Sequence, residues 1–171
     1  MKKFFIAILM LALIAATPLH AAVNENDTDE SKAASGLPVP RFASLRSNDV
    51  NMRTGPGTRY PIEWVFSHQG LPVEIVAEYE IWRQVRDSEG AKGWVHKSAL
   101  TGKRSGIVSG GTRDLHSDPD VTSGAVAHLE VGAVGQLVSC KKDWCKLKFN
   151  GIKGYLRKTD FWGAYPNEVF D

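Results

Sequence analysis

Leu115-His116-Ser117-Asp118 places the three residue types of a hydrolytic triad side by side. A triad needs its nucleophile, base and orienting carboxylate to face one another, which chain neighbours cannot do. The run is read as a coincidence of composition. His68, His96 and His128 are scattered and are read as surface or half-buried histidines. No G-x-S-x-G, H-E-x-x-H or phosphate-binding loop occurs. The sequence therefore predicts no enzyme activity, no metal and no cofactor. Cys140 and Cys145 flank Lys141-Lys142-Asp143-Trp144. A zinc site would need a second ligand pair at suitable spacing, and a redox pair usually reads C-x-x-C. A disulfide closing two strands across a tight turn suits the spacing better. Closing so short a loop stabilises by about 2 kcal/mol in the chain-entropy model.

What remains for function is binding. Tyr60, Trp64, Trp82 and Trp94 gather around one stretch of the first half, and Trp144 and Tyr155 answer Trp82 and Trp94 in the second. Aromatic rings on a rim stack on sugars or flank an extended peptide. They also fill small cores, and that reading is favoured for Trp64 and Trp94. These six aromatics are the candidate ligand contacts. The second half is polarised as well: Lys141 to Lys158 holds seven basic residues against one acid, Asp143, and Asp114 to Glu130 holds four acids and no Lys or Arg. A solvated charged surface explains this more simply than an anion-binding patch, because exposed charges are screened within about 8–10 Å.

The elements that position these residues follow a segmented plan. Lys2 and Lys3 precede an apolar run from Phe4 to Ala16, and small residues follow at Ala21 and Ala22. This is the pattern of a secretory signal peptide, expected over residues 1–21; the run is short for a membrane span of about 20 residues. No stable membrane anchor is expected, and an exported location, periplasmic or secreted, is. Removing two lysines takes the net charge from +2 to zero, which gives no reason to invoke nucleic acid. Residues 22–41 are polar and aperiodic and are expected to be a disordered linker.

Two halves then repeat one another. Gly70 aligns with Gly132, Trp82 with Trp144 and Val85 with Leu147, each 62 residues apart. The spacing falls by one at Gly93/Gly154 and Trp94/Tyr155, which places a deletion in the turn after Asp87. Short strands bounded by Gly, Pro and Asp recur, with no helical stripe, so the expectation is all-β: two small tandem barrels over residues 42–103 and 104–171. Alternation along Trp82 to Arg86 puts Arg83 with the core residue Val85 and turns Trp82 off the main core. The alignment sets Glu78 and Arg83 where the second copy has Cys140 and Cys145. An exposed cross-strand ion pair is expected to replace the disulfide there. Gly55 and Gly57 are expected to supply backbone angles closed to other residues, and Asp118-Pro119-Asp120 to shape the matching loop by side-chain hydrogen bonds.

Asn51-Met52-Arg53-Thr54-Gly55-Pro56-Gly57, Gly70 to Ile75, the Trp82-x-x-Val85 step and Gly93-Trp94-Val95-His96 together resemble the bacterial SH3-like (SH3b) family. The resemblance covers residues 42–165. The second copy departs from the signature: His116, Asp118 and Asp120 replace Arg53, Gly55 and Gly57. The resemblance implies an SH3-like barrel in each copy and a targeting module of the kind appended to wall-degrading enzymes. The expected partner is therefore peptidoglycan, or alternatively an envelope protein bound without glycan affinity.

Overall fold

A computed structural model of the chain describes residues 34–171. The expected signal peptide and residues 22–33 of the expected linker lie outside the described residues. Among the described residues there are fourteen strands, two 3-10 turns and no α-helix, and both sheets belong to one compact unit of the chain.

The first sheet comprises β1 (Arg41–Leu45), β2 (Val50–Arg53), β3 (Ile62–Phe66), β4 (Pro72–Tyr79), β5 (Trp82–Arg86), β6 (Lys92–His96) and β7 (Leu100–Thr101). Its spatial order is β3-β2-β6-β5-β4-β1-β7. The second sheet repeats that order one set later, as β10-β9-β13-β12-β11-β8-β14. Its strands are β8 (Ser105–Val108), β9 (Arg113–His116), β10 (Ala125–Leu129), β11 (Val134–Lys141), β12 (Trp144–Phe149), β13 (Ile152–Arg157) and β14 (Phe161–Trp162). Each sheet curls into an SH3-like barrel, as the repeat predicts. The sheets divide between Thr101 and Ser105.

The cores correspond residue by residue. Met52, Ile75, Val85 and Val95 fill the first, and Leu115, Leu137, Leu147 and Leu156 fill the same places in the second. Val73 aligns with Gly135, whose missing side chain is replaced by the Phe149 ring; a Cβ on Gly135 would meet that ring at 2.6 Å. Gly93 and Gly154 share one reason for being glycine. A Cβ there would strike Met52 or Leu115 and the carbonyl of Arg53 or His116, where β6 crosses β2 and β13 crosses β9. The deletion sits where the alignment places it. β5 and β6 are joined by the five residues 87–91, whereas β12 and β13 need only Asn150-Gly151, both at positive φ.

Both copies bulge the same strand at the same place, between Ile75 and Ala77 and between Leu137 and Ser139. The bulge lies on β4 and not on β5, so β5 keeps its alternation: Arg83 and Val85 are buried on one side. The Cys140–Cys145 disulfide forms, with the two residues directly opposite in register. Glu78 and Arg83 are likewise opposite, and Arg83 Nε lies 3.0 Å from Glu78 Oε1. This pair is buried, not exposed as the sequence suggested: the Glu78 side chain has 0% relative accessibility. Ser35 covers it, donating its backbone N–H and its hydroxyl to the carboxylate at 2.6 and 2.8 Å, and Arg41 adds a second guanidinium. The described end of the expected linker is thus not free chain: Ser35 is bonded to Glu78, and Arg41 is already part of β1. Burial raises the Glu78 pKa, but hydrogen bonds from Arg41 and Ser35 outweigh it and hold the carboxyl below its ordinary value. In the second copy the C-terminus does the covering: Phe170 bridges to Cys140 through two backbone hydrogen bonds of 2.8 and 3.1 Å.

The barrels touch through an aromatic joint. The Phe42 ring meets Trp162 edge-on at 4.9 Å and Tyr165 at 4.8 Å. Arg104 lies 5.4 Å over the Phe42 ring. Tyr165 donates its hydroxyl to Glu74 across the joint at 2.9 Å. Burial, and then the Glu74 carboxylate, push the Tyr165 phenol well above its ordinary pKa.

Candidate functional site

The six candidate aromatics fall into different environments. Trp82 leaves the main core, as its register requires, but is only 8% exposed, with its ring edge-on to His96 at 5.5 Å. It is a structural residue with little surface to offer. Trp64, expected in the core, is 57% exposed on β3, the outermost strand of its sheet. It lines a cleft of about 200 Å³ with Pro72, Asp87 and Ile107, to which neither Tyr60, Trp82 nor Trp94 contributes. Trp94 is half-buried opposite Arg53 in register. Tyr60 lies on the motif turn, and the Arg59 guanidinium sits 5.1 Å over its ring. The structure therefore does not gather the first-copy aromatics into one groove.

The motif glycines also differ from expectation. Neither Gly55 nor Gly57 has positive φ. A Cβ on Gly55 would meet the Tyr60 ring at 2.5 Å, and one on Gly57 would meet it at 3.3 Å. The glycines make room for a ring and do not supply an unusual backbone angle. Arg53 fastens the same turn by donating to the carbonyls of Thr58 and Tyr60 at 3.2 and 2.8 Å.

In the second copy a groove is present. Trp144 opens β12 immediately after the disulfide hairpin turn, and it is half-buried where Trp82 is buried. Its brace is different: the His116 ring on β9 meets it edge-on at 5.6 Å. His116 in turn makes a 3.2 Å contact through Nδ1 with the Ser123 carbonyl. The loop after His116 is shaped by side chains, as expected. Ser123 Oγ donates to the carbonyls of Asp118 and Asp120, and Asp120 Oδ1 accepts from the Thr122 N–H at 2.8 Å. The Thr122 N–H holds the exposed Asp120 carboxyl below its ordinary pKa. This loop carries Pro119 to the groove.

Pro119 and Trp144 border two clefts at once. The larger, about 600 Å³, is also lined by Asp120, Asp143, Arg157 and Lys158. The smaller, about 340 Å³, is lined by Lys141, Lys142, Lys146 and Tyr155. The indole is thus a ridge with a basin on each side. The charges of the larger basin are partly spoken for: Arg157 Nε reaches Asp160 at 3.3 Å, and Lys158 donates to the carbonyls of Pro166 and Glu168 at 2.8 and 2.7 Å. The charged residues lining the smaller basin are all lysines. Lys141 meets Asp171 at 3.1 Å in an exposed pair, and Lys146 lies 5.3 Å over the Tyr155 ring. These lysines, expected to be solvated surface, line a cleft beside an indole. Nothing local in the sequence shows that Pro119, 25 residues before Trp144, lines the same two clefts as the indole. Among the described residues no group of three or more His, Cys, Asp or Glu is placed to hold a metal ion.

The family model described as bacterial SH3 domain matches residues 46–102 and again residues 112–163. The chain belongs to the bacterial SH3 domain family. The two matches coincide with the two barrels, so it is a tandem member. Its sequence is similar to that of the putative N-acetylmuramoyl-L-alanine amidase YrvJ of Bacillus subtilis (strain 168), at 26% identity over 167 residues. That alignment covers 91% of this chain and 30% of the amidase, so the chain spans under a third of the relative's length. Two solved structures are similar over part of the chain. NlpC2 from Trichomonas vaginalis is 12% identical with a TM-score of 0.35, over 77% of this chain and 51% of that one. An NlpC/P60 family protein from Bacillus cereus ATCC 10987 is 16% identical with a TM-score of 0.33, over 72% and 56%.

Proposed function

We propose that this tandem bacterial SH3 protein is a non-catalytic, exported binding protein that holds peptidoglycan in the groove of its second copy. The observation that carries this reading is the Trp144 ridge, flanked by a mixed basin and by the cationic basin of Lys141, Lys142 and Lys146. A half-buried indole offers a flat apolar face to a sugar ring or peptide plane. Cationic walls beside it suit the carboxylates of peptidoglycan stem peptides. A relative named for acting on the N-acetylmuramoyl-L-alanine amide supports the same ligand. Sedimentation with purified peptidoglycan tests the reading. The wild-type chain co-sediments, and Trp144→Ala reduces retention by about tenfold or more, the loss expected for a central aromatic anchor. Equal retention of wild type and variant, or none of either, rejects it.

One observation favours the alternative of an envelope protein partner. On β3, Ile62, Trp64 and Val65 are 48%, 57% and 47% exposed along a sheet edge with no outer neighbour, a surface suited to an added strand. Under that reading Trp64→Ala abolishes partner capture while Trp144→Ala does not.

A further inference from the structure

Where the two barrels meet, residues of both copies line an open cleft of about 500 Å³. Arg46, Gln69 and Thr101 come from the first copy, Lys103 and Arg104 from the connection between the sheets, and Gln136 from the second copy. Every charged residue among its lining is a cation. Arg104 is already compensated, since its Nη1 and Nη2 reach the Glu168 carboxylate at 2.5 and 2.9 Å. Its buried Nε has no partner. Arg46 and Lys103 take part in no ion pair among the described residues.

The cleft is nonetheless built. Arg46 donates through Nε and Nη2 to the Leu100 carbonyl at 3.1 and 2.9 Å, which orients the guanidinium and leaves Nη1 uncommitted. Gln69 is fixed from both ends: its Nε2 donates to the Arg46 carbonyl and its backbone N–H donates to Asn48 Oδ1, each at 2.7 Å. Beneath them the hydroxyls of Ser44 and Ser105 meet at 2.5 Å, both residues buried, and tie one wall to the other. The Phe42–Trp162–Tyr165 contacts hold the same joint.

Uncompensated cations in a concavity concentrate anions there, and a pre-oriented guanidinium matches the geometry of a phosphate or carboxylate. The volume lies within the usual range for small-ligand sites. The geometry points to an oxyanion-binding cleft at the joint of the two copies, taking a phosphate or carboxylate carried on a ligand of about monosaccharide size. The cleft shares no lining residue with either basin beside Trp144, so it stands apart from the peptidoglycan reading. It also exists only in the tandem chain, because neither copy supplies both walls.

The test is a titration of the full exported chain at low salt with a hexose phosphate, a hexuronate and the neutral hexose, followed through backbone amide shifts. The expected result is saturable movement at Gly70, Thr101 and Lys103 with one or both anions and none with the neutral sugar. Preference for the hexose phosphate assigns a phosphate ligand, and preference for the hexuronate a carboxylate. Arg46→Gln and Lys103→Gln each weaken binding about tenfold, the loss of one charge-assisted hydrogen bond. Lys103 is exposed and its side chain makes no hydrogen bond, so that variant folds even where Arg46→Gln perturbs the Leu100 contact. Absence of anion-specific shifts, shifts centred on Lys141 and Lys142, or undiminished affinity of Lys103→Gln would overturn the assignment.

Discussion

Gly55 and Glu78 show how single residues carry this fold. Gly55 has an ordinary backbone conformation, yet an added Cβ would lie 2.5 Å from the Tyr60 ring. Gly55→Ala should therefore destabilise by about 1–3 kcal/mol through overpacking, measured by denaturant unfolding. Gly55→Ala combined with Tyr60→Ala should recover part of the loss. If the single variant is neutral, the ring is not the reason for the glycine. Glu78 is a buried carboxylate under two guanidiniums and Ser35. Its folded pKa is depressed below the ordinary 4.5, so its contribution is complete above the unfolded pKa and is lost as pH falls through the folded one. Wild type should lose stability as pH drops below about 4.5, and Glu78→Gln should flatten that part of the profile while lowering neutral-pH stability by about 3 kcal/mol. An unchanged acid limb would show that Glu78 is not what titrates.

At the scale of elements, the β4–β5 and β11–β12 hairpins are one structure closed in two ways. Glu78–Arg83 and Cys140–Cys145 occupy equivalent, directly opposed positions beyond the same bulge. Glu78→Cys with Arg83→Cys should accordingly form a second disulfide in air-oxidised protein, read by thiol titration; persistent free thiols would contradict the equivalence. Much of this scale was legible in the sequence. The spacing of Gly70/Gly132 and Trp82/Trp144 fixed the duplication, the position of the deletion and the hairpin pairing, because strand alternation and turn chemistry are local. What escaped was non-local. Ser35 covering Glu78 and Phe170 covering Cys140 join residues 43 and 30 positions apart. Trp82 is buried and Trp144 half-buried, and each meets a histidine from a different strand, His96 on β6 or His116 on β9. Trp64 looked like core because it is aromatic in a strand; it is exposed because β3 is the outermost strand.

For the molecule as a whole, the joint decides whether two barrels behave as one body. Phe42 is 8% exposed between Trp162 and Tyr165, and Tyr165 reaches back to Glu74. Calorimetry should show a single cooperative transition for wild type. Phe42→Ala should lower stability by about 3–5 kcal/mol and separate the transition into two, the barrel with the disulfide melting later. A single shifted transition would mean that coupling does not run through Phe42.

The central claim is that ligand binding resides at the Trp144 groove of the second copy. It is tested most directly by following the indole N–H resonances of the five tryptophans during titration with soluble peptidoglycan fragments. The account predicts that Trp144 moves first and saturably, with the amides of Lys142 and Lys146, while buried Trp82 stays in place. Movement confined to Trp64 on β3, or no movement of any indole, would contradict it.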